Sequence, residues 1–258
     1  MGMIELSIVD GAAEIVLNAP KKLNSLGEAD LAELNEKLDE AAAARAKALL
    51  LRGEGRAFCA GRDISGVDPK TDDVADFLGN RVTGVLKKIS EFPAPTFAAV
   101  QGACLGVGLG LAIAADVVYV AESAKIGSPF ANLGATLDSG GHWLFTERLG
   151  AHRTLDLIYT AEFMSGREAV EQGLFSRWVA DDELLEFTRE RVQRVAAGAQ
   201  LAFATSKKLV QQIRDERIGM WESIDAENRA QGDLCLSEDY AEGFKAFQEK
   251  RKPEFRGR

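Results

Sequence analysis

The chain has 258 residues, 46% of them hydrophobic and 28% charged, with a formal net charge of -9, the composition of an ordinary globular protein with room for one large domain and an appendage. The acid excess argues against phosphate-backbone recognition, so no nucleic acid is expected as a partner. Three scattered cysteines, Cys59, Cys104 and Cys235, show no CxxC pairing; neither structural zinc nor a disulfide framework is expected, no other metal site is indicated, and a reducing, cytoplasmic setting fits.

Residues 3–10 and 13–18 read as two short strands around the Asp10-Gly11 turn. The opening MGMIELSIVDG carries acids where a secretory signal needs basic and long apolar regions. Leu31, Leu34 and Leu38 recur at helical spacing, predicting an amphipathic helix over about 28–44. The apolar run 48–52 predicts a strand that leads into the loop GEGRAFCAGRD. Val74, Leu78, Val82, Val85 and Ile89 predict a second helix, with Thr71 or Asp72 as its cap and Pro93 and Pro95 beyond its end. TFAAV predicts a strand, QGACLGVGLGLAIAAD a glycine-rich turn into a buried helix, and VVYVA another strand. Glycines and Gln101 interrupt the longest apolar stretch, so no membrane partner is expected. Strand and helix patterns alternate from about 45 to 180, which predicts an α/β fold of repeated β–β–α units. From Asp182 the strands disappear and four helical patterns follow. The simplest division is a core over 1–195 and a helical C-terminal region over 196–258.

Two glycine-bearing loops, 57–64 (AFCAGRDI) and 101–110 (QGACLGVGLG), are candidates for chemistry. Glycine lets a backbone approach a ligand and turn its N–H groups outward, and two such loops with one N–H each can hold a developing enolate oxygen. Close backbone packing is the alternative for either loop alone. The second loop does not have the spacing of a dinucleotide site.

The order PxxLNSL, AFCAGRDI, PxPTFAAVQGACLGVG, ADVVYVAESAKIG, LGATLDSGG, SGREAVEQGLFSRWV and EGFKAFQEKRKPEF resembles the crotonase (enoyl-CoA hydratase/isomerase) superfamily over essentially the whole chain. That resemblance implies a spiral core of ββα units, a homotrimer or dimer of trimers, and an acyl-CoA thioester as ligand. Coenzyme A is then part of the substrate, and no separate cofactor is implied. It also implies that the backbone N–H groups of Arg62 and Val107 form the oxyanion hole, although the superfamily usually has glycine where Val107 stands.

Hydration in this superfamily resembles a two-glutamate mechanism, and the two positions are Gly110 and Phe130 here. One acid remains, Asp138. The pattern FxxLGxxxDxGGxWL around it resembles 1,2-epoxyphenylacetyl-CoA isomerases and Δ3,Δ2-enoyl-CoA isomerases. One base that takes a proton from Cα and returns it to Cγ is sufficient for isomerisation. A helix N-cap ahead of SGGHWLF is the structural alternative for Asp138. Aspartate there also resembles the nucleophile of 4-chlorobenzoyl-CoA dehalogenase, which carries histidine where this chain has Thr83 and tryptophan where it has Phe130. His142, one helical turn beyond Asp138, reads as a surface or capped-helix residue, and Cys59 and Cys104 as small buried ones.

For the ligand, the resemblance implies contacts to coenzyme A from Lys22 (or Lys21), Leu26 and the segment Ala60, Gly61, Asp63 and Ile64, with Gly108 in the second loop. Asp63 also reads as a loop brace. Phe247 and Lys250 resemble a C-terminal aromatic and lysine that reach the ligand from a neighbouring subunit. Phe130, Leu133 and Leu137 are expected to line the acyl pocket. The reading is an enoyl-CoA isomerase-like enzyme. A hydratase, an aspartate-nucleophile dehalogenase or thioesterase, and a non-catalytic acyl-CoA-binding protein are the alternatives.

Overall fold

In the computed structural model of the chain, which describes residues 2–258, Asp10 and Gly11 take φ of 51° and 82°. Positive φ at both central residues makes a tight hairpin turn, and it joins β1 (Ile4–Val9) to β2 (Ala12–Leu17) in antiparallel register. The predicted first helix is α1 (Glu28–Ala43), burying Leu31, Leu34, Leu38 and Ala41 along one face. After β3 (Ala48–Gly53) the second helical pattern forms in three pieces: α2 (Val74–Asp76), a π-helical turn (Phe77–Val82) and α3 (Thr83–Ser90). Its cap is Asp73, whose carboxylate accepts the Asp76 N–H at 2.9 Å. Thr71 and Asp72 were the expected caps; Asp72 is instead held by Arg62.

β4 (Thr96–Val100), β5 (Ala103–Leu105), α4 (Val107–Ala114), β6 (Val117–Ala121) and β7 (Lys125–Gly127) follow. Next come a 3-10 turn at Phe130–Leu133, α5 (Gly141–Thr160), β8 (Met164–Ser165), α6 (Gly166–Glu171) and β9 (Arg177–Val179). The six-stranded sheet runs β1-β2-β3-β4-β6-β9, parallel throughout except for the first pair, and β5-β7-β8 make a second, small sheet. Single bridges from Leu26 to Arg62 and from Cys59 to Cys104 prolong that small sheet toward the loops. The predicted α/β spiral of strand pairs and helices is therefore what the chain builds.

Four helices close the chain: α7 (Leu184–Ala196), α8 (Gln200–Glu216), α9 (Met220–Leu234) and α10 (Glu238–Gln248). Helix α7 packs on β2, β3, β4 and β6 and buries Leu184, Thr188, Val192 and Ala196. Helix α8 buries none of its residues fully; Lys207 ties it to Asp116 at 2.9 Å and to the Phe92 carbonyl at 3.0 Å. Among the described residues no helix is long and apolar enough to cross a membrane.

Candidate active site

The first loop is fastened on one side only. The Leu26 N–H donates to the Gly61 carbonyl at 2.9 Å, and the Asp63 N–H to the Leu26 carbonyl at 3.0 Å. In an extended segment successive N–H groups point to opposite sides, so the Arg62 N–H faces away from Leu26, and it has no acceptor among the described residues. The Val107 N–H opens α4, where the first amides of a helix lack internal partners and carry the positive end of its dipole. Gly106 before it takes φ 52° and ψ -118°. Gly61 lies at φ 102°, and a Cβ there would stand 2.9 Å from the Leu105 carbonyl oxygen and 3.8 Å from the Val107 nitrogen. Only glycine fits between the two loops, and it brings the segment that carries Arg62 against the start of α4. The loops are also bonded to each other, Cys59 N–H to the Ala103 carbonyl and Leu105 N–H to the Cys59 carbonyl, both at 3.0 Å. One expectation is corrected here: the sequence reads both loops as strand-to-helix turns. The second does run into a helix, but the first passes through nine further residues before α2, with Arg62 folded over Phe77 (4.0 Å) and paired with Asp72.

Asp138 lies in the segment between the Phe130–Leu133 turn and α5, half-buried. Its Oδ1 is fully shielded and has no hydrogen-bond partner. Burial pushes its carboxyl pKa up; the Ser139 hydroxyl and His142 offset this only in part. The N-cap of α5 is Gly140 at φ 88°, with no side-chain capping bond. Asp138 contributes only its carbonyl, to the Gly141 N–H at 2.9 Å, so the cap reading for its carboxylate fails. Gly110, one of the two glutamate positions, faces the same turn: a Cβ on it would meet the Ser139 Cβ at 2.5 Å and the Ser139 carbonyl oxygen at 2.9 Å. A side chain at position 110 would have to displace the turn that carries Asp138. Next to this contact, a cavity of about 360 Å³ is lined by Leu86, Gly110, Ile113, Ser139, Trp143 and Arg214.

The remaining predicted residues divide into those near the loops and those away from them. Leu26 is fully buried, Ala60 donates its N–H to the Leu23 carbonyl at 2.9 Å, and Gly108 presses on Cys59 so closely that a Cβ would lie 2.3 Å from its carbonyl oxygen. Asp63 is a brace, accepting from the Ser65 N–H and hydroxyl and pairing with Lys22 at 3.4 Å. Burial alone would lower the Lys22 pKa; Asp30 and Asp63 outweigh it and raise it. Phe130 sets its ring against Gly106, 3.0 Å from where a Cβ would be, and Leu137 is buried against Gly141. Leu133 is 64% exposed and Ile64 56%, so neither is enclosed within the single chain. Phe247, on α10, is 83% exposed and lines a separate apolar cavity of about 480 Å³ between α8, α9, α10 and Phe255. No loop residue lines that cavity, and Lys250 lies just beyond α10, exposed. His142 is exposed, 3.4 Å from the Thr136 hydroxyl. Cys59 is inert: burial pushes its thiol pKa up to about 12, and that of Cys104 well above its ordinary value.

Sequence reasoning missed the role of Ser139, whose φ of 53° is unusual for a residue with a side chain. The two glycines after it were the available signal of a tight turn. It also missed the Arg62–Asp72 pair, which no local pattern announces.

Residues 7–258 match the enoyl-CoA hydratase/isomerase family. A probable enoyl-CoA hydratase of Rhodobacter capsulatus is 35% identical over 99% of this chain and 98% of its own. The 1,2-epoxyphenylacetyl-CoA isomerase of Escherichia coli is 30% identical over the full length of both chains. In structure, an enoyl-CoA hydratase from Bacillus anthracis superposes with a TM-score of 0.90 at 28% identity, over 99% of this chain and 100% of the other.

Proposed function

This chain belongs to the enoyl-CoA hydratase/isomerase family, and from that premise we propose that it shifts the double bond of an acyl-CoA thioester, using Asp138 as the single base. The names among its relatives span hydratase and isomerase, so the choice rests on the carboxylates. The observation that supports it is the contact between Gly110 and Ser139: the space a side chain at position 110 would need is taken by the turn that carries Asp138. A lone carboxylate is poorly equipped to hold, deprotonate and reprotonate around an attacking water, but it suffices to move one proton.

In this reading the thioester oxygen sits between the Arg62 and Val107 amides. Asp138 takes a proton from Cα, and the electron pair of that C–H bond passes into the thioester as a dienolate, its charge held on oxygen by the two N–H groups. Asp138 then returns the same proton to Cγ, and the double bond moves into conjugation. A half-buried carboxylate with a raised pKa is a stronger base than an exposed one, which suits the carbon acid. Lys22, with the 57–64 loop and Leu26, is assigned to the coenzyme A portion. Phe130 and Leu137 are assigned to the acyl group, with Leu133 at its open side. Phe247 and Lys250 are exposed, and Phe247 lines a cavity apart from the loops, so we assign both to a neighbour's ligand, within a trimer or dimer of trimers formed through α8 to α10. The three free cysteines favour the cytoplasm.

The test is Asp138→Asn, which keeps size and removes the proton acceptor. Conversion of a 3-enoyl-CoA to its 2-enoyl isomer should fall by about two to four orders of magnitude, the usual worth of a positioned general base. Exchange of Cα protons with deuterated water should fall with it, while acyl-CoA binding persists by calorimetry. Unchanged isomerisation in the variant would sink the assignment. Rapid hydration of crotonyl-CoA by the wild type, or a covalent adduct at Asp138, would replace it with one of the other family reactions.

A further inference from the structure

Among the described residues, the buried side-chain oxygens without any hydrogen-bond partner are Ser128 Oγ, Asp138 Oδ1 and Ser139 Oγ. Buried polar atoms are nearly always paired, so each orphan calls for a physical reason. Two of them belong to consecutive residues in one turn. Ser139 in addition holds φ at 53°, a conformation glycine adopts without steric cost and serine does not. The next residue, Gly140, is already glycine at φ 88°, so the chain uses glycine in this turn where freedom is all that matters. Ser139 also packs its Cβ onto Gly110, which fixes the residue between Asp138 and the cavity lined by Leu86, Trp143 and Arg214.

We propose that Ser139 is a positioning residue for Asp138: its hydroxyl donates to Oδ1 when the carboxylate is charged, leaving Oδ2 to meet the proton on the acyl group. The inference rests on the reading of Asp138 as the base. A donor helps a carboxylate in a part-buried site to remain ionised; the Ser139 hydroxyl stands on the next residue, whereas His142, the other group that acts on Asp138, is exposed and 3.4 Å from the Thr136 hydroxyl. A serine O–H turns about its Cβ–Oγ bond, so it can aim its proton at the adjacent carboxylate without moving the backbone. The missing side chain at position 110 makes room for the Ser139 Cβ, which lies 2.5 Å from where a Cβ on Gly110 would be.

Ser139→Gly separates the roles, because it removes the hydroxyl and the backbone strain together. Isomerisation of a 3-enoyl-CoA, Cα exchange with deuterated water and thermal melting are measured for the wild type, Ser139→Gly, Ser139→Ala and Asp138→Asn. The expected result is a Ser139→Gly protein that melts no lower than the wild type and has an unchanged KM. Its kcat should be about 10- to 100-fold lower, the worth of a hydrogen bond to a charged group, and the acidic limb of its kcat–pH profile should move to higher pH. Ser139→Ala should show the same kcat and limb. Wild-type kcat and an unmoved limb in Ser139→Gly would reduce Ser139 to a turn residue and overturn the proposal. A raised KM with an unmoved limb would overturn it too, by assigning the hydroxyl to the substrate. If Asp138→Asn keeps its exchange, the base itself is misassigned; if it loses exchange while Ser139→Gly stays silent, only this proposal falls.

Discussion

The donor loops at 57–64 and 101–110 and the carboxylate loop at 128–140 are built from different parts of the chain. In the first pair backbone does the holding: Leu26, Cys59, Ala103 and Leu105 exchange main-chain bonds of 2.9–3.0 Å, and glycines bring the strands into contact. The groups proposed to work there are amides, which survive most side-chain changes. In the carboxylate loop side chains do the work, and they are poorly supported. All three partnerless buried oxygens lie there, Ser139 and Gly134 sit at positive φ, and Leu133 stands in solvent. If the proposed roles hold, a tightly bonded frame beside a loosely satisfied loop divides the work: the frame would fix what is bound and the loop which reaction follows.

That contrast breaks most sharply at Gly61. Gly61→Ala would push the Leu105 carbonyl and the Val107 amide apart, and turnover should fall about a hundredfold to a thousandfold, the cost of losing one oxyanion donor. Steady-state kinetics check this, and wild-type turnover would mean that the amides do not act together. The opposite experiment restores a glutamate at Gly110. Its Cβ has no room beside Ser139, so Gly110→Glu should remain unable to hydrate crotonyl-CoA and should lose roughly 1–3 kcal/mol of stability to overpacking, read by urea denaturation. Hydration gained by this single change would show that the turn yields more readily than its contacts suggest.

A smaller effect distinguishes stability from chemistry. The folded-state pKa of Asp138 is raised, so the stability linked to its protonated form is present below the unfolded pKa and lost as pH rises through the folded one. At neutral pH the wild type therefore carries the cost of an ionised, part-buried carboxylate, and Asp138→Asn should melt higher, by about 1 kcal/mol of stability. The gain should vanish toward pH 3. The smallest effect is expected at Val107, where the donor is an amide: Val107→Ala should change kcat by less than about threefold, under 1 kcal/mol of barrier.

Helical and strand periods made most of the fold legible: Leu31, Leu34 and Leu38 mark the buried face of α1, and TFAAV and VVYVA are β4 and β6 within a residue. The close approach of the 57–64 and 101–110 loops was legible too, because glycine at such positions is written directly in the sequence. The carboxylate loop was legible only in part. Asp138 could be picked out as the sole acid of its segment, but a capping role could be discarded only once Gly140 was seen at the N-cap. The Gly110–Ser139 contact joins residues 29 apart through space, and no periodicity encodes it. Phe247 lines a cavity apart from those loops, so its expected place at a ligand is not legible in the single chain.

Helix α8 offers a last point. None of its residues is fully buried, α9 buries only Ser223, and Val210, Met220 and Trp221 are largely exposed. Within one chain, α8 is moored mainly through Lys207 and the Gln211 amide, which donates to the Ser90 carbonyl at 2.9 Å. For helices whose apolar faces are completed by copies of the chain, dilution acts as a denaturant: each tenfold drop in free partner across the association range removes about 1.4 kcal/mol. Enzyme stored at micromolar concentration and assayed at nanomolar would then lose activity over time, and unlabelled inactive Asp138→Asn chains added to the assay would preserve it.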